Sequence, residues 1–268
     1  MSIQFGIIGG GVMAEAILSR LLEQKVFAPE AIMIGEPRSA RREYLLKTYQ
    51  VNVTPDNQQA ANASDVVLLA VKPQILDRVL ASLAGGANRP LVISILAGVP
   101  IHRIQQGFPD HAIIRAMPNT PATVGAGMTA IAANKIVEPE QLALAKNIFS
   151  AVGNVVEVPE NLIDAVTGVS GSGPAYVAMM IEALADGGVL VGLPRTVATQ
   201  LALQTVLGTA QLVKESHLHP AELKDQVTSP GGTTIAGVAV LEKMGFRSAL
   251  IEAVRAAFRR SQDLGRHK

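Results

Sequence analysis

The chain has 268 residues, is 49% hydrophobic and 17% charged, and carries a formal net charge of +1, which gives no basis for electrostatic capture of nucleic acid. It has no cysteine, which excludes disulfides, thiolate nucleophiles, iron–sulfur clusters and cysteine-based zinc sites. No run of about twenty apolar residues escapes glycine, proline or charge, and the opening MSIQFGIIGGG lacks a basic, long-apolar leader, so a cytoplasmic protein without a membrane span is expected.

From residue 3 to residue 158, short apolar runs alternate with amphipathic segments. IQFGIIG (3–9), AIMIG (31–35), VNVT (51–54), DVVLLAV (65–71), LVISIL (91–96), AIIRAM (112–117), MTAIAA (128–133) and NVVEV (154–158) read as strands. Residues 12–25, 38–48, 74–84 and 139–151 read as helices between them. Runs with so little polar alternation suit strands buried on both faces of a parallel sheet, and strands alternating with helices point to βαβ units. Residues 1–159 are therefore expected to form a doubly wound α/β domain.

After Pro159 the strand signal stops, and residues 160–268 read as an all-helical domain. One helix is expected from Pro174 to Leu190 and a second, after GLP at 192–194, to about Lys214. A short helix is expected at 221–227, followed by helices at about 233–244 and 247–264. VATQLALQTVLGTAQLV (197–213) has no charged residue, and a helix apolar nearly all round is buried in a large core or an interface. A domain this small has little room for the first. A homodimer sharing these C-terminal helices is expected, rather than a compact monomeric bundle.

The first strand runs into Gly9-Gly10-Gly11-Val12-Met13-Ala14 and then a helix, which is G-x-G-x-x-A at the start of a βαβ unit. In a Rossmann-type domain Gly9 permits the tight turn and Gly11 lets a pyrophosphate approach the backbone at the helix start beside Val12 and Met13. Ala14 lets the helix sit close to the sheet. The second strand ends in Gly35-Glu36-Pro37-Arg38, followed by Arg41 and Arg42. An acid here binds the ribose 2′-OH of NAD, whereas arginines accommodate the 2′-phosphate of NADP. Were Glu36 to turn outward before Pro37, Arg38 with Arg41 or Arg42 would form a phosphate clamp. A solvated helix start explains the arginines as well, so the choice stays open, with NADP(H) favoured over NAD(H).

Three loops follow strand ends, where open α/β sheets bind ligands: Ala70-Val71-Lys72-Pro73, Ala97-Gly98-Val99 and Met117-Pro118-Asn119. Lys72 and Asn119 are the polar side chains expected to face the nicotinamide ribose, although Lys72 also reads as a plain surface lysine. In the helical half, VSGSGPAY (169–176) fails the G-x-S-x-G pattern of a hydrolase elbow at both serines. The five histidines lie outside both unusual motifs, and no metal-ligand spacing is present. SPGGTT (229–234) separates two helices. Backbone N–H groups at a helix start, with Gly231 and Gly232 allowing close approach, suit a small carboxylate. A serine or threonine N-cap after a tight turn explains the same residues without a ligand.

These residues carry a family resemblance. GIIGGGVMAEA, AVKP (70–73), MPNTP (117–121), VSGSGPAY, ADGGVLVGLPR (185–195) and LKDQVTSPGGTTIAG (223–237) together resemble Δ1-pyrroline-5-carboxylate reductase over the whole length. The resemblance implies a Rossmann domain followed by a helical dimerisation domain of the 6-phosphogluconate-dehydrogenase-like C-terminal superfamily. It implies reduction of pyrroline-5-carboxylate to L-proline by NADPH or NADH, the last step of proline biosynthesis. It also implies a homodimer that assembles further into rings, up to a decamer of dimers. By the same resemblance, Ser229 and the backbone of Gly232, Thr233 and Thr234 hold the substrate carboxylate. The Thr234 hydroxyl meets the ring nitrogen, and Asn57 lies near the adenosine ribose.

Two rival readings are a β-hydroxyacid-dehydrogenase-like oxidoreductase and a non-catalytic NADP-binding protein. The first expects a catalytic lysine just after Gly171-x-Gly173, where Val177 stands, and the second has no use for SPGGTT.

Overall fold

A computed structural model describes residues 2–83 and 88–266. Its first part contains β1 (Phe5–Ile8), α1 (Val12–Glu23), β2 (Ile32–Gly35), α2 (Ser39–Tyr49), β3 (Asn52–Thr54), α3 (Asn57–Ala61), β4 (Val66–Leu69) and α4 (Leu76–Ala81). There follow β5 (Leu91–Ser94), α5 (Ile101–Ile104), β6 (Ile113–Met117), β7 (Gly127–Ala133), α6 (Pro139–Ser150), β8 (Gly153–Glu157) and α7 (Ile163–Val166). All eight expected strands form: the first six are trimmed at their ends, β7 gains Gly127, and β8 is shifted one residue back. Residue 84, the expected end of the helix at 74–84, lies outside the described residues.

The strands make one sheet in the order β3-β2-β1-β4-β5-β6-β7-β8. Successive side chains of a strand point to opposite faces, and β4 shows what that does here. Val66 and Leu68 join one core with α1, α2 and α6, through Ile17, Leu45 and Phe149. Val67 and Leu69 join the other with α3, α4 and α5, through Ala60, Leu76 and Ile104. With apolar side chains needed on both faces, the strands lose the alternation of a half-exposed sheet, as their sequences indicate.

The last two strands depart from the parallel expectation, since β8 pairs parallel to β7 and both run against β1 to β6. β7 runs antiparallel to β6, with Met117 opposite Ala130. A parallel return needs a crossover of a dozen or more residues, and residues 118–126 are too few. They form a 3₁₀ turn over Thr120–Val124 that ends in Gly125 at φ 73°.

The strands end at Glu157, but the compact unit built on the sheet runs on to Ser172 and takes in the chain again from Arg255. The expected boundary at 159/160 thus marks the last strand, and the packing divides between Ser172 and Gly173. A charged residue in the sheet accounts for this. Arg115 of β6 is 3% exposed. Its Nη2 donates to Asp164 Oδ1 of α7 at 2.6 Å, and its Nη1 lies 3.9 Å from Glu160 Oε1. Ser261 Oγ donates to the same Asp164 oxygen at 2.9 Å. Between α7 and Ser172 the helix widens into a π turn, Thr167–Gly171.

The second unit, Gly173–Val254, is helical. It contains α8 (Gly173–Leu190), α9 (Arg195–Ser216), α10 (Pro220–Gln226), α11 (Thr233–Lys243) and the start of α12 (Phe246–Arg266). Helices α8 and α9 pack through small residues, Ala185 against Ala198 and Ala202. A Cβ on Gly188 would stand 3.0 Å from that of Ala198, so glycine sets this approach. Only Ala198 and Ala202 of α9 are buried within the chain. Leu203 and Leu207 are 54% and 58% exposed, and on α8 Met179 is 68% exposed.

Replacing Asp164 by Ala leaves Arg115 buried with only a distant carboxylate. Loss of one partner of a buried pair costs about 3 kcal/mol or more, so urea unfolding of Asp164→Ala should show that loss. A change below about 1 kcal/mol would mean that Glu160 alone compensates Arg115.

Candidate functional site

β1 leads into the glycine turn. Gly9 has φ 103°, and a Cβ added there would lie 2.8 Å from the Ala70 carbonyl oxygen, so the turn and the loop after β4 approach closely only with glycine. Gly11 is the N-cap of α1 in an extended conformation, without a side-chain cap. A Cβ there would meet nothing within 4 Å, so open space adjoins the helix start. The first N–H groups of a helix have no partner inside it, and those of Val12 and Met13 belong to this first turn. Ala14 is buried in the core beneath.

The end of β2 does not take the arrangement in which an outward Glu36 leaves a clamp of arginines. Glu36 does not turn outward. It is 4% exposed and accepts hydrogen bonds from the Gly10 N–H at 3.2 Å and from Arg38 Nε at 2.9 Å. Burial pushes its carboxyl up, but the bonds from Arg38 and Gly10 outweigh that and hold it below the usual carboxylate range. Arg41 donates to the Gly10 carbonyl at 2.7 Å, pairs with Glu15 and lies over the Tyr44 ring. Arg42 donates to the Glu36 and Pro37 carbonyls, each at 2.8 Å. The Gly10 peptide is thus held at both ends by charged side chains, and each arginine already has a partner within the chain. Only Arg38 keeps most of its side chain in solvent, 70% exposed.

A cavity of about 370 Å³ adjoins the glycine turn, with Gly9, Gly35, Pro37, Asn57 and Val71 in its wall. Asn57 opens α3, where the Asp56 carboxylate caps the helix by accepting the Gln58 N–H. Asn57 Oδ1 lies 2.6 Å from the place of a Gly35 Cβ, which explains that glycine. Lys72 is exposed, has no partner among the described residues, and precedes the 3₁₀ turn that Pro73 begins. The other two expected loops are committed elsewhere. Gly98 has φ 74°, and its Cβ would lie 2.7 Å from the Ser261 carbonyl, so α12 backs this loop next to Ala97. Asn119 does not present a free amide to a ribose: Nδ2 donates to the Ser170 carbonyl at 3.0 Å and Oδ1 accepts the Met128 N–H at 2.9 Å. Met117 packs with Ala130, Ala132 and Ile163.

In the helical unit, the Gly232 N–H donates to the Ser229 carbonyl at 3.1 Å and closes a tight turn. Gly231 has φ 68°, a left-handed conformation that favours glycine. Gly232, rather than a hydroxyl residue, is the N-cap of α11, and no side chain caps the helix. An N-capping serine or threonine therefore does not explain the motif. The hydroxyls of Ser229, Thr233 and Thr234 have no partner among the described residues, and the first-turn N–H groups at Thr233 and Thr234 have no cap.

The family model described as pyrroline-5-carboxylate reductase dimerisation matches residues 160–264, and one described as NADP oxidoreductase, coenzyme F420-dependent, matches residues 4–98. The pyrroline-5-carboxylate reductase of Synechocystis sp. is 82% identical over 99% of this chain and 100% of its own length. The chain belongs to the pyrroline-5-carboxylate reductase family. The solved reductase of Coxiella burnetii is 37% identical, with a TM-score of 0.87 over 98% of this chain and 99% of that one. The Plasmodium falciparum reductase, solved with NADP bound, is 33% identical, with a TM-score of 0.88 over 98% of both chains.

Within this family fold, the cavity wall adds residues that the sequence reading misses: Pro55, Asp56, Ile75, Arg78, Val79 and Ser82. Four of them fall at i, i+3, i+4 and i+7 from Ile75, one face of α4 and the turn before it, so helical spacing was the available signal. Among the described residues, no three His, Cys, Asp or Glu side chains gather as a metal site, and no helix is long and apolar enough to cross a membrane.

Proposed function

We propose that the chain reduces Δ1-pyrroline-5-carboxylate to L-proline, with NADP(H) the favoured cofactor and NAD(H) the alternative. The observation that carries this reading is the uncapped start of α11, with glycines at 231 and 232 and three unpartnered hydroxyls around it. A helix start offers N–H groups and a positive dipole end to an anion. The backbone of Gly232, Thr233 and Thr234, with the Ser229 hydroxyl and the access left by Gly231, would hold the substrate carboxylate.

The cofactor residues follow from the other glycine turn. Gly9, Gly11, Val12 and Met13 would receive the pyrophosphate, and Asn57 the adenosine ribose. Ala70, Val71, Lys72 and Pro73 would border the bound dinucleotide. Ala97, Gly98, Met117 and Asn119 shape its surroundings from behind, through the packing described above. When bound, the nicotinamide supplies the hydride.

A protonated C=N is already electrophilic, so the protein's task is mainly orientation. The new C–H bond forms at the imine carbon, and the C=N electron pair returns to the nitrogen, which keeps its proton. A threonine hydroxyl is no useful base by itself. Thr234 would orient the ring nitrogen, or relay to it from water the proton that makes the C=N electrophilic before the hydride arrives. The bare apolar faces of α8 and α9 support a homodimer through the C-terminal helices, since patches of this kind mark interfaces. Light scattering should give an even number of protomers, and a monomer at micromolar concentration would contradict the dimer.

Thr234→Ala should lower kcat about tenfold to a hundredfold, the worth of one hydrogen bond to a charged group, while the Kd for NADPH holds. Unchanged turnover would remove Thr234 from the reaction. For cofactor choice, Arg38→Ala should lower kcat/KM with NADPH about tenfold and leave NADH nearly unaffected, because it removes a cation and leaves the Glu36 carboxylate facing a 2′-phosphate. An equal fall with both would reduce Arg38 to a support for Glu36.

A further inference from the structure

The charges around the proposed dinucleotide site are unequally free. Arg38, Arg41 and Arg42 each bond to Glu36, Glu15 or backbone carbonyls. The Arg78 side chain has neither an ion pair nor a hydrogen bond among the described residues, yet the residue lines the cavity beside Gly9 and Gly35. It comes from α4, far in sequence from the β2 end that a 2′-phosphate would need.

Its neighbours indicate what it faces. Ile75 and Val79 share its helix face, and Pro37, Pro55 and Val71 add apolar surface to the same cavity. A phosphate gains nothing from aliphatic walls. A flat aromatic base does, and a guanidinium is the cation best suited to stack on one. Asp56, Asn57 and Ser82 in the same wall offer polar atoms for the edge of a base. At about 370 Å³ the cavity also has room for a purine with part of its ribose.

We propose that Arg78 holds the adenine ring of the dinucleotide by cation–π stacking. This assigns a residue of α4 to the half of the cofactor common to NADPH and NADH. It rests on the dinucleotide reading above, and makes Arg78 a determinant of cofactor affinity rather than of cofactor choice. Being exposed and unpartnered, Arg78 can be replaced without removing any support of the fold.

The test is titration calorimetry of wild type and Arg78→Met with NADPH, NADH, ADP-ribose and nicotinamide mononucleotide. Methionine keeps an apolar stem and removes the cation. The expected result is a Kd raised about fivefold for NADPH, NADH and ADP-ribose alike, within the range of cation–π contacts, with no change for the mononucleotide, which lacks adenine. Weakening confined to NADPH would overturn the assignment in favour of the 2′-phosphate. Equal weakening of all four ligands would reduce Arg78 to a structural residue, and no change in any would remove it from the site. If wild type bound NADPH but neither variant nor ligand differed, Arg78 alone would be wrong; if wild type bound none of the four, the dinucleotide reading itself would fall with it.

Discussion

A guanidinium buried in a sheet must find compensation close by, because an unpaired charge in the interior costs several kcal/mol. Arg115 imposes that requirement on β6, and much of the later chain is arranged to meet it. Asp164 supplies the carboxylate, which draws the stretch after β8 back over the sheet instead of releasing it to the helical unit. Ser261 shares the same carboxylate oxygen, so the end of the last helix is drawn in as well. Glu160 faces Arg115 at longer range, and the same oxygen accepts the Ile101 N–H at 2.6 Å, which fixes the start of α5. The loop between β5 and α5 is thus held at Ile101 by Glu160 and at Gly98 by the backbone of α12. One buried cation sets the back wall of a strand-end loop.

Two sets of helix starts contrast, while α2, α4, α5, α7 and α9 begin with neither a side-chain cap nor a glycine N-cap. Three use side chains: Asp56 caps α3, Glu138 and Gln141 form a capping box on α6, and His219 caps α10. The two starts proposed to meet anions use glycine. Gly11 at α1 and Gly232 at α11 have nearly the same backbone, φ −75° with ψ −175° and φ −78° with ψ 176°. Neither brings a side-chain oxygen that would occupy the N–H groups of the first turn. The same local solution appears in two units of different architecture, for ligands of similar charge.

The strands and long helices were legible because burial on two faces and amphipathic spacing leave a pattern over several residues. α3, α5 and α7 are too short for a 3.6-residue period to appear, and the π turn has no such pattern at all. The reversal at β7 was readable in principle from the short 118–126 connection, but its apolar run looks like that of any buried strand. Arg115 sat inside the run AIIRAM without any sign that its partner lay 49 residues further on. SPGGTT was visible as a site because two adjacent glycines between helices call for a reason. The inward turn of Glu36 was not, since it answers to an N–H 26 residues earlier in the chain. The bonds of Asn119 were hidden for a related cause: a polar residue at a strand end serves a ligand or the fold equally well, and here its amide joins the Ser170 carbonyl to the Met128 N–H of β7.

The apolar side chains left bare on α8 and α9 have a thermodynamic meaning beyond association. Where a helical unit buries three alanines between its main helices and leaves its leucines to a partner, much of its hydrophobic stabilisation arises only on assembly. Folding free energy then contains the protomer concentration, by mass action. Dilution and denaturant act on the same equilibrium, and an apparent melting temperature for this chain has meaning only when the concentration is given with it.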